Sequence, residues 1–424
     1  MLITLAILFI PLLFIGMPIG FAMGFSGLVA LTTGSSVSLG TMIQQIIGDL
    51  NSFGLMACPF FLLAGELMSG GGLTEKIIGF CSSLIGWVKG GMAITAVGAC
   101  MIFAGISGSG AADTSAIGTL IIPSMRERGY DDAFSASLLA GAGALGPIIP
   151  PSMNMIVYAG ITGDSVAKLF MGGIIPGVLM GLLMVAYSIY YTRKAKIEDV
   201  IPFSAARLWR EFKGAVWALI CPGIILGGII FGIFTATEAG IVACVYALFC
   251  GTCIYKQLNW NRLVENLYNT VKTNGMVMFV LSTSAVLAYI FARTQAGNYI
   301  LAFAENSGLS NEMFMVLILL VVLFLGMFMD MLAGMMVLMP LLYPVITTMG
   351  IHPIQFGVLF SIATVIGAIT PPVGTYIFIS MGIAGTTMKK MLPHLIPMII
   401  ITSAVTAAII FIPELATFIP TTFG

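Results

Sequence analysis

The fold of this chain is decided by residues 105–152, which read GISGSGAADTSAIGTLIIPSMRERGYDDAFSASLLAGAGALGPIIPPS. Shifting the sequence by 221 positions, the separation of Gly105 from Gly326 (326 − 105), lays this stretch on a second one without a gap. Four coincident prolines are hard to obtain by chance, so one supersecondary unit is predicted to be built twice. The coinciding residues are Gly105, Pro123, Gly129, Gly146, Pro150, Pro151, Lys168 and Pro176 in the first copy, and Gly326, Pro344, Gly350, Gly367, Pro371, Pro372, Lys389 and Pro397 in the second.

The composition predicts an integral membrane protein. Of the 424 residues, 59% are hydrophobic and 8% are charged, with a mean hydropathy of +1.09, which leaves too little polar surface for a soluble core. The charge-free run 1–48 exceeds the ~20 residues that cross a bilayer, and no basic region precedes it, so we expect a membrane helix there rather than a cleaved signal. The net charge is zero and no basic block is present, so nucleic acid is not an expected partner.

Hydropathy and helix breakers predict membrane helices separated by short amphipathic arms. We expect helix A at Leu2–Leu31 and helix B at Thr41–Met68, the latter interrupted at Pro59. Residues 74–88 are too few to span and are expected to lie along the interface. The later predicted helices are residues 169–192, 215–234, 239–255, 275–291 and 390–412, and the later arms are residues 193–213 and 259–272.

Each copy of the repeated unit is predicted to hold a re-entrant hairpin followed by a broken helix. The hairpins, at about 90–125 and 312–348, are too short for two full crossings, so their tips are expected at membrane depth. The tips are expected near 107–110 and 326–334, where the backbone is rich in glycine. The helices at about 131–161 and 353–384 each contain a double proline, which removes donors from the helical ladder and predicts a discontinuous helix.

These elements predict a single all-α membrane domain, residues 1–424, built from two inverted repeats. The first repeat is 1–192, a cytoplasmic arm and linking helix are 193–234, and the second repeat is 235–424. Six Lys or Arg residues lie between Arg193 and Lys213, which places this arm in the cytoplasm by the positive-inside rule. Alternating the predicted spans then puts the N-terminus in the cytoplasm and the C-terminus in the periplasm, and makes the two copies inverted.

Two hairpin tips and two broken helices that meet at mid-membrane would bring free carbonyls, hydroxyls and helix ends into a space of low dielectric. Unwound carbonyls and helix C-termini suit Na⁺, and half-helix N-termini suit a substrate carboxylate. Small residues that only allow close helix packing are the alternative reading. The candidate Na⁺ ligands are Ser107, Gly108, Ser109, Gly110, Pro150 and Ser152 for one site, and Gly326, Asp330, Thr370 and Pro371 for the other. The candidate substrate ligands are Ser107, Asn154, Thr375 and Arg293.

Two acidic residues, Asp330 and Asp113, lie near the predicted tips. Asp330 lies between long apolar runs, where a charge costs roughly 2.5 to 3.5 kcal/mol on the insertion scale, so a cation partner is expected. The repeat aligns Asp330 with Ser109. Asp113 follows the first tip, where capping of the second hairpin arm and ion binding both remain open.

Arg293 and Glu238 are candidate contacts of a partner protein, and the alternative for Arg293 is an arginine that snorkels at the interface. Glu238 completes a Thr-x-x-Glu capping box with Thr235. An intramembrane serine protease is a minor alternative, because Gly105-Ile106-Ser107-Gly108 matches a GxSG pattern. Its histidine would have to be His352, which lies beside a proline at the edge of a hairpin, or His394, which is expected near a membrane face. A channel is the other minor alternative.

Six segments resemble the large membrane subunit of tripartite ATP-independent periplasmic (TRAP) transporters, and the resemblance covers essentially the whole chain. They read PLLFIGMPIGFAMGFSG (11–27), PFFLLAGELMSGGGL (59–73), SGSGAADTSAIG (107–118), GYDDAFSASLLAGAGALGPIIPPS (129–152), IFTATEAG (233–240) and ITPPVGTYIF (369–378).

The resemblance implies an elevator-type secondary transporter in the bacterial inner membrane that is driven by a Na⁺ gradient and needs no organic cofactor. It also implies a small four-helix membrane subunit, expected here as a separate polypeptide, and a soluble periplasmic protein that delivers an organic acid such as a dicarboxylate, sialic acid or another sugar acid. An ion-coupled permease that works without a binding protein is the alternative. No GxxxxGK[ST] motif is present for transport driven by nucleotide.

Overall fold

The computed structural model describes residues 1–34, 37, 39–50, 53–197, 200–327 and 331–423, which form helices and loops without a strand among them. The helices, numbered in chain order, are α1 Leu2–Phe14, α2 Ile19–Gly34, α3 Leu39–Leu50, α4 Ala57–Gly70, α5 Leu73–Ile85, α6 Gly91–Ser107, α7 Gly110–Glu127, α8 Asp132–Gly143, α9 Met153–Thr162, α10 Val166–Ala195, α11 Ala205–Ile230, α12 Ala236–Phe249, α13 Trp260–Thr294, α14 Ala296–Asn306, α15 Asn311–Gly326, α16 Met331–Thr348, α17 Pro353–Ala368, α18 Thr375–Ala384, α19 Met388–Phe411 and α20 Glu414–Phe423.

Five described helices are long and apolar enough to cross a membrane. Several shorter apolar helices, including α6, α9, α15, α17 and α18, fall below that length and belong to the repeated region. The long helices are Val166–Ala195, Ala205–Ile230, Ala236–Ile254, Trp260–Thr294 and Met388–Phe411, where the third includes the π-helical turn Cys250–Ile254 that continues α12.

The prediction of one helix A over Leu2–Leu31 is wrong. Gly16 has φ +88° and is followed closely by Pro18, so the chain turns between α1 and α2. The two helices fold back on each other, and Met1 lies against Gly34. The N-terminal apolar run is therefore a short helical hairpin.

Helix B was also predicted as one element interrupted at Pro59. The structure instead has α3, a 3₁₀ turn at Phe53–Met56 and then α4. Pro59 lies in the first turn of α4, where its missing N–H removes no intrahelical hydrogen bond. The interruption thus precedes the proline.

Two predicted boundaries between arms and spans do not exist. Residues 205–213 of one predicted arm continue without a break into the span of α11, and residues 260–272 of the other continue into α13, which is 35 residues long. Ser204 and Asn259 cap these helices by accepting backbone N–H groups from Arg207 and Arg262. Charged side chains mark where a helix leaves the apolar region, but they do not end it.

The helix bounds recur at the offset found in the sequence. Helix α7 covers positions 110–127 and α16 covers 331–348, which is the same interval shifted by 221 residues. At this offset, α6 starts within one residue of α15, α8 of α17, α9 of α18 and α10 of α19, while their ends differ by one to five residues. Further towards the N-terminus the copies differ, because the α3–α4 pair of the first copy is replaced by continuous α13 in the second.

The two copies exchange their short half-helices. Helix α18 packs against α7 and α8 of the first copy, and α9 packs against α16 of the second copy. Most of the buried apolar side chains form one continuous core through both copies. Each hairpin is therefore completed by a half-helix from the other copy.

Candidate functional site

The first hairpin turns at Gly108 and Ser109, where its tip was predicted. Helix α6 ends at Ser107, and Gly108 has φ +61°, a conformation that glycine adopts without strain. Ser109 begins α7 as its N-cap, and its Oγ accepts the N–H of Ala112 at 3.5 Å. A Cβ on Gly108 would overlap the carbonyl oxygen of Pro151, so the tip and the broken helix are in backbone contact.

The break between α8 and α9 wraps this tip. The N–H of Met153 donates to the carbonyl oxygen of Gly108 at 3.3 Å. The hydroxyl of Ser152 donates to the carbonyl oxygen of Pro147 at 2.5 Å, and its Oγ accepts the N–H of Met155 at 3.3 Å as the N-cap of α9. The structure thus brings five predicted ligands of the first site together, and Pro150 lies within the same break.

Asp113 occupies the centre of this arrangement, and its exposed fraction is 0%. The hydroxyl of Ser107 donates to Oδ1 of Asp113, while Oδ2 has no hydrogen-bond partner among the described residues. A Cβ on Gly146 would overlap this Oδ2, so the free oxygen points at the break. The carbonyl ends of α6 and α8 meet here as well. A buried carboxylate and two helix C-termini form an environment that favours a small cation.

In the second copy, two glycines again allow a close backbone contact, here between the first arm of the hairpin and the last turn of α17, just before the break. Gly326 ends α15, and a Cβ on Gly367 would lie 2.6 Å from the Cα of Gly326. Thr370 and Pro371 are half-buried in the break, and the hydroxyl of Thr370 donates to the carbonyl oxygen of Ile366 at 2.6 Å. Asp330 lies outside the described residues, so its prediction as a ligand stays a prediction.

The first turn of α18 has no side-chain cap, whereas the first turn of α9 has one. Gly374 precedes α18 with φ +54° and provides no side-chain cap, whereas Ser152 caps α9. Thr375 is exposed at the first position of α18. The first N–H groups of a helix lack intrahelical acceptors and carry a partial positive charge. The start of α18 therefore suits a carboxylate.

Two contacts connect the copies close to these sites. Asn154 is buried and its Nδ2 donates to the Oγ1 of Thr364 on α17 at 3.2 Å. A Cβ on Gly110 would overlap the ring of Tyr376 at the start of α18. Asn154, predicted as a substrate ligand, thus has one amide hydrogen committed to the other copy.

Arg293 and Glu238 are exposed. Arg293 is in the last turn of α13, and its Nη1 donates to the hydroxyl of Tyr289 at 3.5 Å. The capping box of Glu238 is confirmed, because its carboxylate accepts the N–H of Thr235 at 2.8 Å and Thr235 Oγ1 accepts the N–H of Glu238 at 3.3 Å. Their role in partner contact stays a prediction.

The capping box allows a direct test of its structural role. Thr235→Ala is expected to lower the free energy of unfolding by about 1 kcal/mol, because it leaves an N–H at the start of α12 without its acceptor. Thr235→Ser keeps the hydroxyl and should stay close to the parent protein. Denaturant unfolding in detergent measures both, and an equal loss in the two variants would contradict this role.

The serine of the GxSG pattern is not paired with a histidine. The hydroxyl of Ser107 is bound to Asp113. His352 is the N-cap of α17, where its Nδ1 accepts the N–H of Ile354 at 3.2 Å. His394 packs edge-on against Phe134, in the first turn of α8 and so at the opposite end of that helix from the break. A serine–histidine pair of the protease kind is not formed by these residues.

Comparison with known proteins places this architecture among transporters. A family model described as "Tripartite ATP-independent periplasmic transporter, DctM component" matches residues 6–415. The C4-dicarboxylate TRAP transporter large permease protein DctM of Vibrio cholerae is 34% identical, over 98% of this chain and 97% of that protein. The sialic acid TRAP transporter large permease protein SiaM of the same organism is 34% identical over 93% of each chain.

A solved structure has the same fold at a lower sequence identity. The YdaH transporter of Alcanivorax borkumensis superposes with a TM-score of 0.63 at 15% identity, covering 90% of this chain and 91% of that chain. At such an identity the likeness concerns the fold alone.

Proposed function

Because the chain belongs to the DctM family of tripartite ATP-independent periplasmic transporter components, we propose that it is the permease of a Na⁺-driven importer of organic acid anions. Family membership implies a large permease subunit in a multi-pass inner-membrane position, within a system that also has a small membrane subunit and a periplasmic binding protein. The small subunit is proposed to be a separate four-helix polypeptide. The observation that carries the proposal is the buried carboxylate of Asp113 at a hairpin tip, one oxygen of which has no hydrogen-bond partner among the described residues.

Sodium is the proposed coupling ion because the described residues that contact Asp113 at the tip and the break offer oxygen ligands. Carboxylate, hydroxyl and carbonyl oxygens are the ligands that hard cations prefer. Asp113 joins the candidate ligands Ser107 and Ser152, and we assign the ion-binding role to it rather than simple capping. One net charge that moves through 100 mV is worth ~2.3 kcal/mol, so two Na⁺ ions that cross with a monocarboxylate supply about that much before their concentration gradient is counted.

The substrate is proposed to be an organic acid, held by a carboxylate at the open start of α18. Dicarboxylate and sialic acid appear in the names of relatives, and both carry a carboxylate. Thr375 would donate its hydroxyl there, and the first N–H groups of α18 would add the charge of the helix terminus. The identity of the acid is proposed to be selected mostly by the soluble partner.

Transport is proposed to proceed by an elevator motion of the two hairpins and their half-helices against a scaffold. The recurring helix bounds support two repeats, and an inverted relation would open the first hairpin to the cytoplasm and the second to the periplasm. The N-terminus is then cytoplasmic and the C-terminus periplasmic. The exchange of α9 and α18 between copies supports motion as one body, because neither hairpin can move without the other copy's half-helix.

Reconstitution tests this proposal. The chain, its small subunit and the binding protein are placed in proteoliposomes, and uptake of a panel of dicarboxylates and sugar acids is measured with Na⁺ outside. Saturable uptake of at least one acid is expected, and it should fall to background when K⁺ replaces Na⁺. Uptake that is equal with K⁺ would refute Na⁺ coupling, and non-saturable flux would favour a channel.

A further inference from the structure

Three helix ends meet at the guanidinium of Arg126 in the last turn of α7. Its Nη2 donates to the carbonyl oxygen of Ala384 at 2.6 Å, and its Nε donates to Oδ1 of Asp132 at 2.7 Å. Ala384 is the last residue of α18, whose carbonyl has no donor within its own helix. Asp132 is the first residue of α8. One side chain thus joins the end of α7, the start of α8 and the end of α18.

The charges at this junction match the helix termini on which they act. The guanidinium lies at the negative C-terminal end of α18, and Asp132 lies at the positive N-terminal end of α8. The planar guanidinium reaches both acceptors through two of its N–H groups at once, and an ammonium group does not reproduce that geometry. Arg126 is therefore the residue type that this junction requires.

Helix α18 runs along α7 and is held at both of its ends. At its start, Tyr376 packs on Gly110, the first residue of α7. At its end, Ile383 packs near Gly118 and Ala384 accepts the bond from Arg126. Apolar packing alone allows two helices to slide, whereas a charge-assisted hydrogen bond to the last carbonyl fixes the position along the axis.

Among the described residues, the second copy has no arginine at this junction, although the hydroxyl of Tyr343 on α16 donates to Oδ1 of Asp164 just after α9 at 3.1 Å. The residue equivalent to Arg126 in the second copy is Thr347 (126 + 221), whose hydroxyl donates to the carbonyl oxygens of Tyr343 and Pro344 within its own helix. The repeated fold therefore does not require an arginine at this position. The arginine is found beside α18, the half-helix whose start has no side-chain cap.

We propose that Arg126 is a positioning residue that fixes α18 along its axis and thereby places the start of α18, where the substrate carboxylate binds, against the first hairpin tip. The substrate part of this inference rests on the proposed function. The positioning part concerns the protein alone. Amide hydrogen exchange tests the positioning part and uptake kinetics test the substrate part. Both are measured on the full chain in its membrane complex.

The test compares Arg126→Gln with Arg126→Lys and with Lys390→Gln, which removes an exposed charge at the start of α19 without touching α18. In Arg126→Gln, amide hydrogen exchange of residues 383–385 is expected to rise about tenfold, because the end of α18 opens more often. The KM for the organic acid is expected to rise about three- to tenfold with Vmax and the half-saturating Na⁺ concentration nearly unchanged, because the competent position of α18 is less populated. Arg126→Lys should fall between, and Lys390→Gln should match the parent.

Unchanged exchange in Arg126→Gln would overturn the positioning role, and so would a loss of Vmax at constant KM. If Arg126→Gln does not fold, Asp132→Asn replaces it, since that variant releases the guanidinium from one anchor and should shift both readouts in the same direction by less. No shift in Asp132→Asn would then count against the proposal. If the parent protein shows no Na⁺-dependent uptake, the proposed function fails, while hydrogen exchange still decides the role of Arg126.

Discussion

Replacing Asp113 with asparagine is expected to raise the Na⁺ concentration for half-maximal uptake by about tenfold or more. The carboxylate is fully buried, and one of its oxygens has no partner in the described part of the chain. A charge at such depth costs roughly 2.5 to 3.5 kcal/mol on the insertion scale unless an opposite charge offsets it. A bound cation would supply that offset, and asparagine removes the charge while keeping the shape. Initial uptake rates over a Na⁺ titration measure the change.

The stability of the same variant distinguishes an ion ligand from a structural carboxylate. Without Na⁺, Asp113→Asn should unfold at the same denaturant concentration as the parent or at a higher one, because it no longer buries an uncompensated charge. Adding Na⁺ should stabilise the parent more than the variant, which keeps only the second candidate site intact. Glu127→Gln, on an exposed residue of the same helix, is the control and should behave as the parent. A variant that is less stable without Na⁺ would contradict an ion-binding role.

Replacing Gly367 with alanine is expected to reduce uptake by about tenfold or more and to lower the free energy of unfolding by about 1 to 3 kcal/mol. The new Cβ would lie 2.6 Å from the Cα of Gly326, and backbone atoms cannot rotate away as a side chain would. The break between α17 and α18 would therefore be pushed from the hairpin that it contacts. Uptake in proteoliposomes and denaturant unfolding report the two effects.

Gly382→Ala provides the matched control for that experiment. Gly382 also lies in a helix of the second copy, but a Cβ there would meet no atom within 4 Å. Alanine is favoured over glycine in a helix by up to about 1 kcal/mol, so this variant should be as stable as the parent or more so, with normal uptake. If Gly367→Ala also kept normal uptake and stability, the close contact between the hairpin and the break would not be needed for transport.

Much of the repeated region could be predicted because it depends on backbone chemistry. Glycine and proline restrict or free the backbone locally, so Gly108 and the double proline at 150–151 locate a turn and a break without knowledge of the packing. The N-terminal helices were harder, since Gly16 and Pro18 stand in an apolar run that reads equally well as one span. Charged arms were mistaken for separate helices because polarity and helix continuity are independent properties.

The contacts between copies could not be predicted from the sequence. Asn154 and Thr364 are 210 residues apart, and no local pattern pairs them. Likewise, the sequence left Asp113 open between capping and ion binding, because burial and the unpartnered oxygen depend on where Gly146 and the break come to lie. Site residues that act through long-range packing need the three-dimensional arrangement.

A Na⁺ ion in the pocket around Asp113 can be detected by equilibrium binding of radiolabelled Na⁺ to the purified permease. The parent protein is expected to bind Na⁺ saturably, without competition from equal K⁺, and one ion is expected to bind at least tenfold more weakly in Asp113→Asn. Equal Na⁺ affinity in the two proteins would show that Asp113 is not an ion ligand.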